Sequence, residues 1–592
     1  AISNELSIQG NLYQDTNLSD SRTIRAKDIF NLGSYSESFI KNNEVNADAR
    51  INFNKEINAD LNLSAMVGVA IRNEQSMTKY ASSVGGLVVR DIYNLGNSAK
   101  QPVVSNNRTE KEVQSVFGSA ELNYKSIAFL TITGRNDWSS TLPRDEWSFF
   151  YPSFSGSFIF TDAFNMNSSL LSFGKLRGSW AQVGNDTQPY ALNRYINRNT
   201  NSYNGQPVLG LQNVIPATSL IPEQSTSFEV GGELYFAKNK IRLDVAYYNN
   251  KSDNQLVQVE NAWERGARYA FINAGTIVNK GVEFKLDIKT LDRPNLTWDI
   301  NLNFSRNRGS VSGFPEDLVN FKIIGAWNGN EIRATNGEPY AHLVGFEYFL
   351  DSQDSYDRLD RQKADYLAYG YTPAENIYGT GEILTRNGLP MTNTFRGAGS
   401  NLGIIAPLDW TAGISNTFRY KNVQLNFLFD IRKGGHVIST TSQLMSRYGL
   451  LERSVGTNEH GVDKRASLED GGGIIVKGID IDTGLPNALP IRAQDLYSPY
   501  ILPTSDFTRD ATNIKLKEVS LGYSFNRKVL ENIGVTGLRI SAVARNILIL
   551  KNNLDGIDSE TANLGNLNNG SGFEYGSLPN TRSLGFTLSV DF

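Results

Sequence analysis

From Leu584 to Phe592 the chain alternates strictly, with Leu584, Phe586, Leu588, Val590 and Phe592 on one side and Gly585, Thr587, Ser589 and Asp591 on the other. Side chains of a strand point to opposite faces with a period of two, so this segment has one apolar and one polar face. Such a strand either packs its apolar face under a second layer or turns it toward lipid, and the same pattern fits the edge of a soluble sandwich.

The pattern recurs along the chain, usually in pairs joined by tight turns. Phe228, Val230, Gly232, Leu234 and Phe236 share a face, a Lys238–Asn239–Lys240 turn follows, and Ile241, Leu243, Val245 and Tyr247 leave it. Val282, Phe284, Leu286 and Ile288 are answered, beyond an Asp292–Asn295 turn, by Leu296, Trp298, Ile300, Leu302 and Phe304. Ile414, Phe418 and Tyr420 reach a Lys421–Asn422 turn, and Val423, Leu425, Phe427 and Phe429 follow it. These are hairpin signals.

Strand length separates the two ways of covering an apolar face. The alternating runs are about 10–13 residues long, beyond the roughly 5–6 common in soluble sheets and in the range of the about 9–11 that cross a bilayer at a tilt. Mean hydropathy is −0.34 over 592 residues, and no run approaches the ~18 consecutive apolar residues of a membrane helix. A polar average with strong local alternation is what a lipid-facing row backed by a lumen-facing row produces.

Connection lengths alternate as well. Short turns are expected near 57–60, 124–126, 237–240, 290–295, 420–422 and 526–535, and long connections near 74–111, 184–225, 251–277, 433–510 and 547–580. Short turns on one side and long loops on the other are the habit of a transmembrane barrel. If Phe592 ends on the short-turn, periplasmic side, strands near 45–57, 112–124, 149–161, 225–237, 278–289, 410–420, 512–525 and 581–592 run inward. Those near 2–13, 60–73, 126–137, 172–183, 240–250, 296–307, 422–431 and 536–546 run outward. A further pair is expected between 308 and 408, its second strand near Pro339–Leu350, for about 18 strands; Arg22–Asn31 reads as loop. Trp138, Trp147, Trp180, Trp298 and Trp410 fall in or at the ends of strands, where interfacial aromatics sit.

Several segments resemble the SusC/RagA family of TonB-dependent outer-membrane transporters of Bacteroidetes. Gly134-Arg-Asn-Asp-Trp-Ser-Ser-Thr-Leu142 is similar to that family's Arg-x-Asp-x-Ser-Ser strand end, and Phe173–Asn185 to its most recognisable barrel strand. Asn273-Ala-Gly with Asn279-Lys-Gly-Val-Glu-Phe284, the run Arg509–Phe525, and Ala544-Arg-Asn546 with Asp558-Ser-Glu-Thr561 follow in the family's order. The resemblance implies a 22-stranded barrel around a plugged lumen, a SusD-like surface lipoprotein as lid, and energy from the periplasmic TonB system acting on the plug. It implies import of oligosaccharides or oligopeptides; the alternative is a SusC-like barrel serving as a non-transporting scaffold of an outer-membrane complex. No plug or TonB-contacting segment is visible, so residues 1–592 are expected to be the C-terminal part of the barrel, partnered by the N-terminal part of the same transporter and by outer-membrane lipid.

Catalytic chemistry is poorly supplied. There are three histidines, His342, His436 and His460, and no cysteine, and no Gly-x-Ser-x-Gly elbow stands out. Gly471–Gly473 lacks the strand–helix setting of a phosphate loop, and Asp480, Asp482 and Gly484 form half of a calcium loop without its closing Glu. Gly379-Thr-Gly381 and Gly397-Ala-Gly399 read as loop turns. No enzyme activity, cofactor or metal is expected. Net charge of −4, with no basic stripe, argues against a nucleic-acid partner. Aromatics crowd the long loops: Tyr190, Tyr195, Tyr203, Trp263, Tyr269, Phe271, Trp327, Tyr366, Tyr369, Tyr371, Tyr497 and Tyr500. Such rings suit sugars, peptides, a lid protein or loop-on-loop cores, and the sequence singles out no ligand-binding residue among them.

Overall fold

The computed structural model describes residues 5–29, 31–166, 168–204, 206–216, 220–260, 264, 266–316, 318–326, 329–353, 355, 379–393, 400–498, 501–526, 530, 534–561 and 571–591. Sixteen strands join in one antiparallel sheet, each beside its neighbours in sequence. The first eight are β1 (Leu6–Lys27), β2 (Leu32–Asn58), β3 (Leu61–Leu87), β4 (Ser98–Tyr124), β5 (Ala128–Ser139), β6 (Ser148–Ile159), β7 (Leu171–Asn185) and β8 (Glu223–Phe236). The others are β9 (Ile241–Asp253), β10 (Thr276–Arg293), β11 (Leu296–Ser312), β12 (Trp410–Tyr420), β13 (Val423–Lys433), β14 (Asn513–Ser524), β15 (Gly537–Asn552) and β16 (Ser583–Asp591). All sixteen individually placed strands are present. Phe592 lies outside the described residues.

The short turns are built as their residues require. Asn58 pairs with Leu61 across two residues, and Asn58 Oδ1 accepts from the Asp60 N–H at 2.9 Å. Lys125 and Ser126 both take positive φ, with Asn123 Oδ1 bonded to the Ser126 N–H at 2.9 Å. Ala237, Lys238 and Asn239 are all left-handed, a conformation that tightens the reversal.

Three expectations need correction. Among the described residues the pair expected between 308 and 408 is not in the large sheet, where β11 pairs directly with β12. Asn320–Gly325, Glu331–Thr335, His342–Gly345 and Ser400–Ile405 instead form a separate four-stranded sheet. In Pro339–Leu350 only His342–Gly345 is a named strand, four residues long and buried throughout, too short to cross a bilayer and with no face left for lipid. Arg22–Lys27 is no loop but the end of β1, in register with β2 as far as Lys27 opposite Leu32. Most of 74–111 is strand too, since β3 runs to Leu87 and β4 begins at Ser98.

The chain divides into two compact units. The first comprises Ala1–Phe236, Ala246–Lys280 and Gly313–Pro315. Here polarity is inverted relative to a soluble sheet. Val116, Ile132 and Phe154 on one face of β4–β6 are 43%, 43% and 46% exposed, while Ser115 and Asp137 on the other are 4% and 7% exposed. On β3 the apolar row runs from Leu61 to Ile71 and then gives way to Asn73 and Gln75 on the same face. That span, about 11 residues, matches the height of a hydrocarbon belt. β2, β3 and β4 are each 27 residues long, about 90 Å at ~3.3 Å per residue. More than half of each therefore extends past the belt, away from the short turns.

The second unit comprises Ala237–Val245, Gly281–Ser312 and Glu316–Phe592. Its wall strands carry an aromatic row: Phe284 stacks on Phe304 at 5.0 Å, Phe304 meets Trp410 at 5.7 Å, and Trp298 stacks on Phe418 at 5.0 Å. Trp298 lies opposite Phe418, near the short-turn end of the β11–β12 pair, and Trp410 begins β12 at the other end. Two indoles at opposite ends of one apolar face are the spacing of two interfacial girdles. The apolar core of this unit lies in its long connections, where Ile332, Leu343, Ile438 and Phe573 pack together and Leu496, Tyr497, Leu502 and Phe507 form a second cluster. Glu574, fully buried, clamps two connections: Ser439 and Thr441 hydroxyls, at the start of the helix Thr440–Arg447, donate to it at 2.7 Å each.

Candidate functional site

Two of the motifs that resemble the family turn out to be joints of the polar face. Arg135 and Asp137, two apart on β5, share that face. Arg135 Nε donates to Asp137 at 2.8 Å and to Tyr151 Oη at 3.0 Å, and Nη2 donates to Ser115 Oγ at 2.7 Å. Tyr151 also donates to Asp137. The guanidinium lies 5.6 Å from the centre of the Phe117 ring, which lies over Gly68. Four adjacent strands are thereby tied, and the buried carboxylate has a full set of partners, as a charge in a low-dielectric setting needs.

The same motif continues to Ser139, which hydrogen-bonds Thr141 at 3.0 Å and donates to Asp186. Lys111 Nζ reaches Asp186 at 2.6 Å. Asp186 directly follows the Phe173–Asn185 segment, so two motifs far apart in sequence meet at the end of β5 and β7.

In the second unit, Asp558-Ser-Glu-Thr561 folds back onto the polar face of β13 and β14. Lys515 pairs with Asp558, and with Glu560 at 3.0 Å; Arg432 reaches Glu560 at 3.1 Å, and Lys517 Nζ bonds it at 2.5 Å. Asn580 donates to both carboxylates at 3.1 and 3.2 Å. Burial works against the Glu560 carboxylate, but Lys517, Lys515 and Arg432 outweigh it and hold its carboxyl at about 2.

No reactive constellation is assembled from the sequence candidates. His342 is buried with Nε2 2.8 Å from a Glu338 oxygen, and His436 Nδ1 lies 3.3 Å from the Ile405 carbonyl. His460 sits in a turn, its N–H bonded to Asn458 at 3.1 Å. Gly471 and Gly473 have positive φ, and a Cβ on Gly472 would stand 2.3 Å from the Ala466 carbonyl, so this triplet is a close-packed turn. Gly379 and Gly381 also take positive φ, whereas Gly397-Ala-Gly399 lies outside the described residues. Asp480 accepts from the Asp482 and Thr483 N–H groups, and Asp482 is bound by Arg386 at 2.9 Å; this is an Asx turn with an ion pair.

The loop aromatics divide. Tyr497 packs in the second loop cluster, its ring 5.2 Å from the Arg453 guanidinium, and Tyr269 and Phe271 lie in the strand Tyr269–Asn273. Tyr190 and Tyr195 are about half exposed. Trp263, Trp327, Tyr366, Tyr369, Tyr371, Tyr500 and the side chain of Tyr203 lie outside the described residues.

Two polar cavities open on the lumen-facing rows of the first unit. One of about 390 Å³ is bordered by Glu121, Lys175, Arg177 and Glu229, with Arg177 3.6 Å from Glu229. The other, of about 530 Å³, lies just beyond the belt against Asp15, Asn42, Glu44, Glu74, Ser76 and Thr109. Part of this second lining falls in the stretch expected to be a loop, and strands without an apolar row leave no hydropathy alternation to find it by.

Residues 3–366 match the family described as TonB dependent receptor-like, beta-barrel. This chain belongs to that family. Members of it are outer-membrane β-barrels and not enzymes, in agreement with the apolar belt. TonB-dependent receptor P26 of Formosa agariphila is 25% identical over 563 residues, 92% of this chain and 53% of the relative. TonB-dependent receptor SusC of Bacteroides thetaiotaomicron is 23% identical over 511 residues, covering 82% and 44%. The chain thus spans about half the length of the curated relatives it matches. Among solved structures, the RagAB peptide importer in its open-open state aligns with a TM-score of 0.71 at 18% identity, over all of this chain and 59% of that one. This likeness is one of fold.

Proposed function

We propose that this chain is the C-terminal wall and loop portion of a TonB-dependent importer of oligosaccharides or oligopeptides in the outer membrane. The observation that carries the reading is the apolar belt, exposed at Val67, Val69, Ile71, Val116, Ile132 and Phe154, with the buried Ser115 and Asp137 on the opposite, polar face, in a chain of this family. In this reading the remaining strands and the plug come from the rest of the protein. The TonB system acts on that plug, and a SusD-like surface lipoprotein covers the mouth. The wall does no bond-making chemistry: it excludes lipid, lines the path with hydrogen-bonding groups, and raises tall strands around the entrance. Support comes from the half-length match to TonB-dependent receptors, SusC among them, and from the RagAB fold.

The test is uptake of labelled oligosaccharides and oligopeptides by the native bacterium, with the gene intact or deleted, before and after a protonophore. Import predicts loss of uptake on deletion and on collapse of the proton gradient. Uptake unchanged by both would reject import and leave the barrel a scaffold.

A further inference from the structure

Beyond the belt, β1–β4 continue as a four-stranded sheet whose two faces differ sharply. Registers run unbroken from the membrane part, Asn17 opposite Asn42, Asn42 opposite Ser76 and Ser76 opposite Thr109, so each face is followed by parity alone. The face continuous with the lumen holds the alternate positions from Asn17 to Thr23, Ser36 to Asn42, Ser76 to Ser82, and Val103 to Thr109. None of these sixteen side chains is charged; fourteen carry a hydroxyl or amide, and the others are Ile40 and Val103. The sixteen positions behind them, Thr16 to Arg22, Glu37 to Asn43, Gln75 to Ala81, and Val104 to Glu110, include seven charged residues.

Water exposure alone would place charge on both faces alike. The neutral face is a field of groups that both donate and accept, with one ring, Tyr80, 38% exposed near its centre. At ~4.8 Å between strands and ~3.4 Å per residue it measures roughly 14 by 20 Å. At its foot lies the 530 Å³ cavity, where Asp15, Glu44 and Glu74 stand side by side on adjacent strands. Lys111, next in that row, is engaged by Asp186 at 2.6 Å, and Arg72 offsets only Glu74 at 2.9 Å. The foot therefore keeps a negative balance.

We infer that this face is a binding surface for a neutral oligosaccharide, and that the carboxylate row beneath it rejects anionic chains. Sugar hydroxyls match a neutral donor–acceptor field, and Tyr80 offers a face for one ring. A peptide would bring charged termini and side chains for which the field holds no partner. The inference rests on the import reading for its setting, but its binding step stands apart from energised transport.

The test is calorimetric titration of the detergent-purified full-length protein. Probes are linear neutral oligosaccharides (gluco-, xylo-, manno- and galacto-hexaoses), oligogalacturonate, and neutral and cationic hexapeptides. At least one neutral sugar should bind. Thr78→Glu, on the neutral face, should weaken it more than tenfold, while Asn106→Glu, on the charged face and away from the cavity, should leave it within twofold; heat-modifiability on gels confirms that both variants fold. Glu44→Gln should admit oligogalacturonate. No neutral sugar bound, peptides or oligogalacturonate preferred, or equal effects of Thr78→Glu and Asn106→Glu would each overturn the inference. Sugar binding without energised uptake would instead sink the import reading and leave this surface standing.

Discussion

Lys515 Nζ lies 3.0 Å from Glu560, and both side chains are only 6% exposed. This ion pair pins the segment after β15 to the polar face of β14. Glu560→Ala removes the carboxylate shared by Lys515, Lys517 and Arg432. Breaking a buried pair from one side costs about 3–5 kcal/mol, and Asp558 still faces Lys515, so the expected loss is near the low end of that range. The unfolding midpoint in urea, read by heat-modifiability, should fall accordingly, while Glu518→Ala, at an exposed pair with Arg545, should change it little.

Acid should release the same segment late. The Glu560 carboxyl sits at about 2 against an ordinary 4.5. A depressed carboxyl contributes stability that is fully present above about pH 4.5 and is lost as pH falls through about 2. Hydrogen exchange of residues 555–561 should stay slow from pH 7 to about pH 4 and quicken below about pH 3. Glu560→Gln should remove that acid transition; its survival in the variant would assign it elsewhere.

What sequence revealed and concealed here follows from where lipid lies. Every strand that contributes to the belt was legible, because one residue in two must be apolar there; Phe228–Phe236 and Val423–Phe429 are examples. The signal stops where the belt stops. Past Ile71 the regular alternation on β3 is lost, with Asn73, Gln75 and Lys79 on the row that was apolar, so the strand to Leu87 resembled a loop, as did Arg22–Lys27. His342–Gly345 misled in the opposite direction: its apolar residues serve a small sheet buried among loops. The Arg135–Asp137 joint was legible as two residues on one face of a strand. The Ser139–Asp186 and Lys515–Glu560 joints were not, because the partners are brought together only by folding.

The facing assignment can be tested in the second unit. Phe284 belongs to the aromatic row with Phe304, whereas Lys285 points to the opposite side, 3.6 Å from Asp287. A charge near the midplane of a lipid-facing row costs ~2–4 kcal/mol. Phe284→Arg should therefore reduce the folded, heat-modifiable fraction in outer membranes, and Lys285→Ala should be nearly silent. Equal behaviour of the two variants would reject the facing.

Gly68 and Phe117 provide a test of packing on the lumen-facing side. A Cβ built on Gly68 would stand 2.7 Å from Phe117 Cζ and 3.0 Å from the Ala49 carbonyl oxygen. The ring can move only by giving up its place beside Arg135, which is already held by Asp137, Tyr151 and Ser115. Gly68→Ala should thus cost about 1–3 kcal/mol, the usual penalty of overpacking. Phe117→Leu alone should cost less, because the polar joint survives it. The double variant should recover part of the Gly68→Ala loss, a coupling of at least ~0.5 kcal/mol between neighbours, since the smaller side chain leaves room for the methyl group. The Ala49 carbonyl remains, so recovery should be incomplete. Strict additivity in the urea midpoints would show that the ring does not cover Gly68, and would break the chain of contacts from β3 to Arg135.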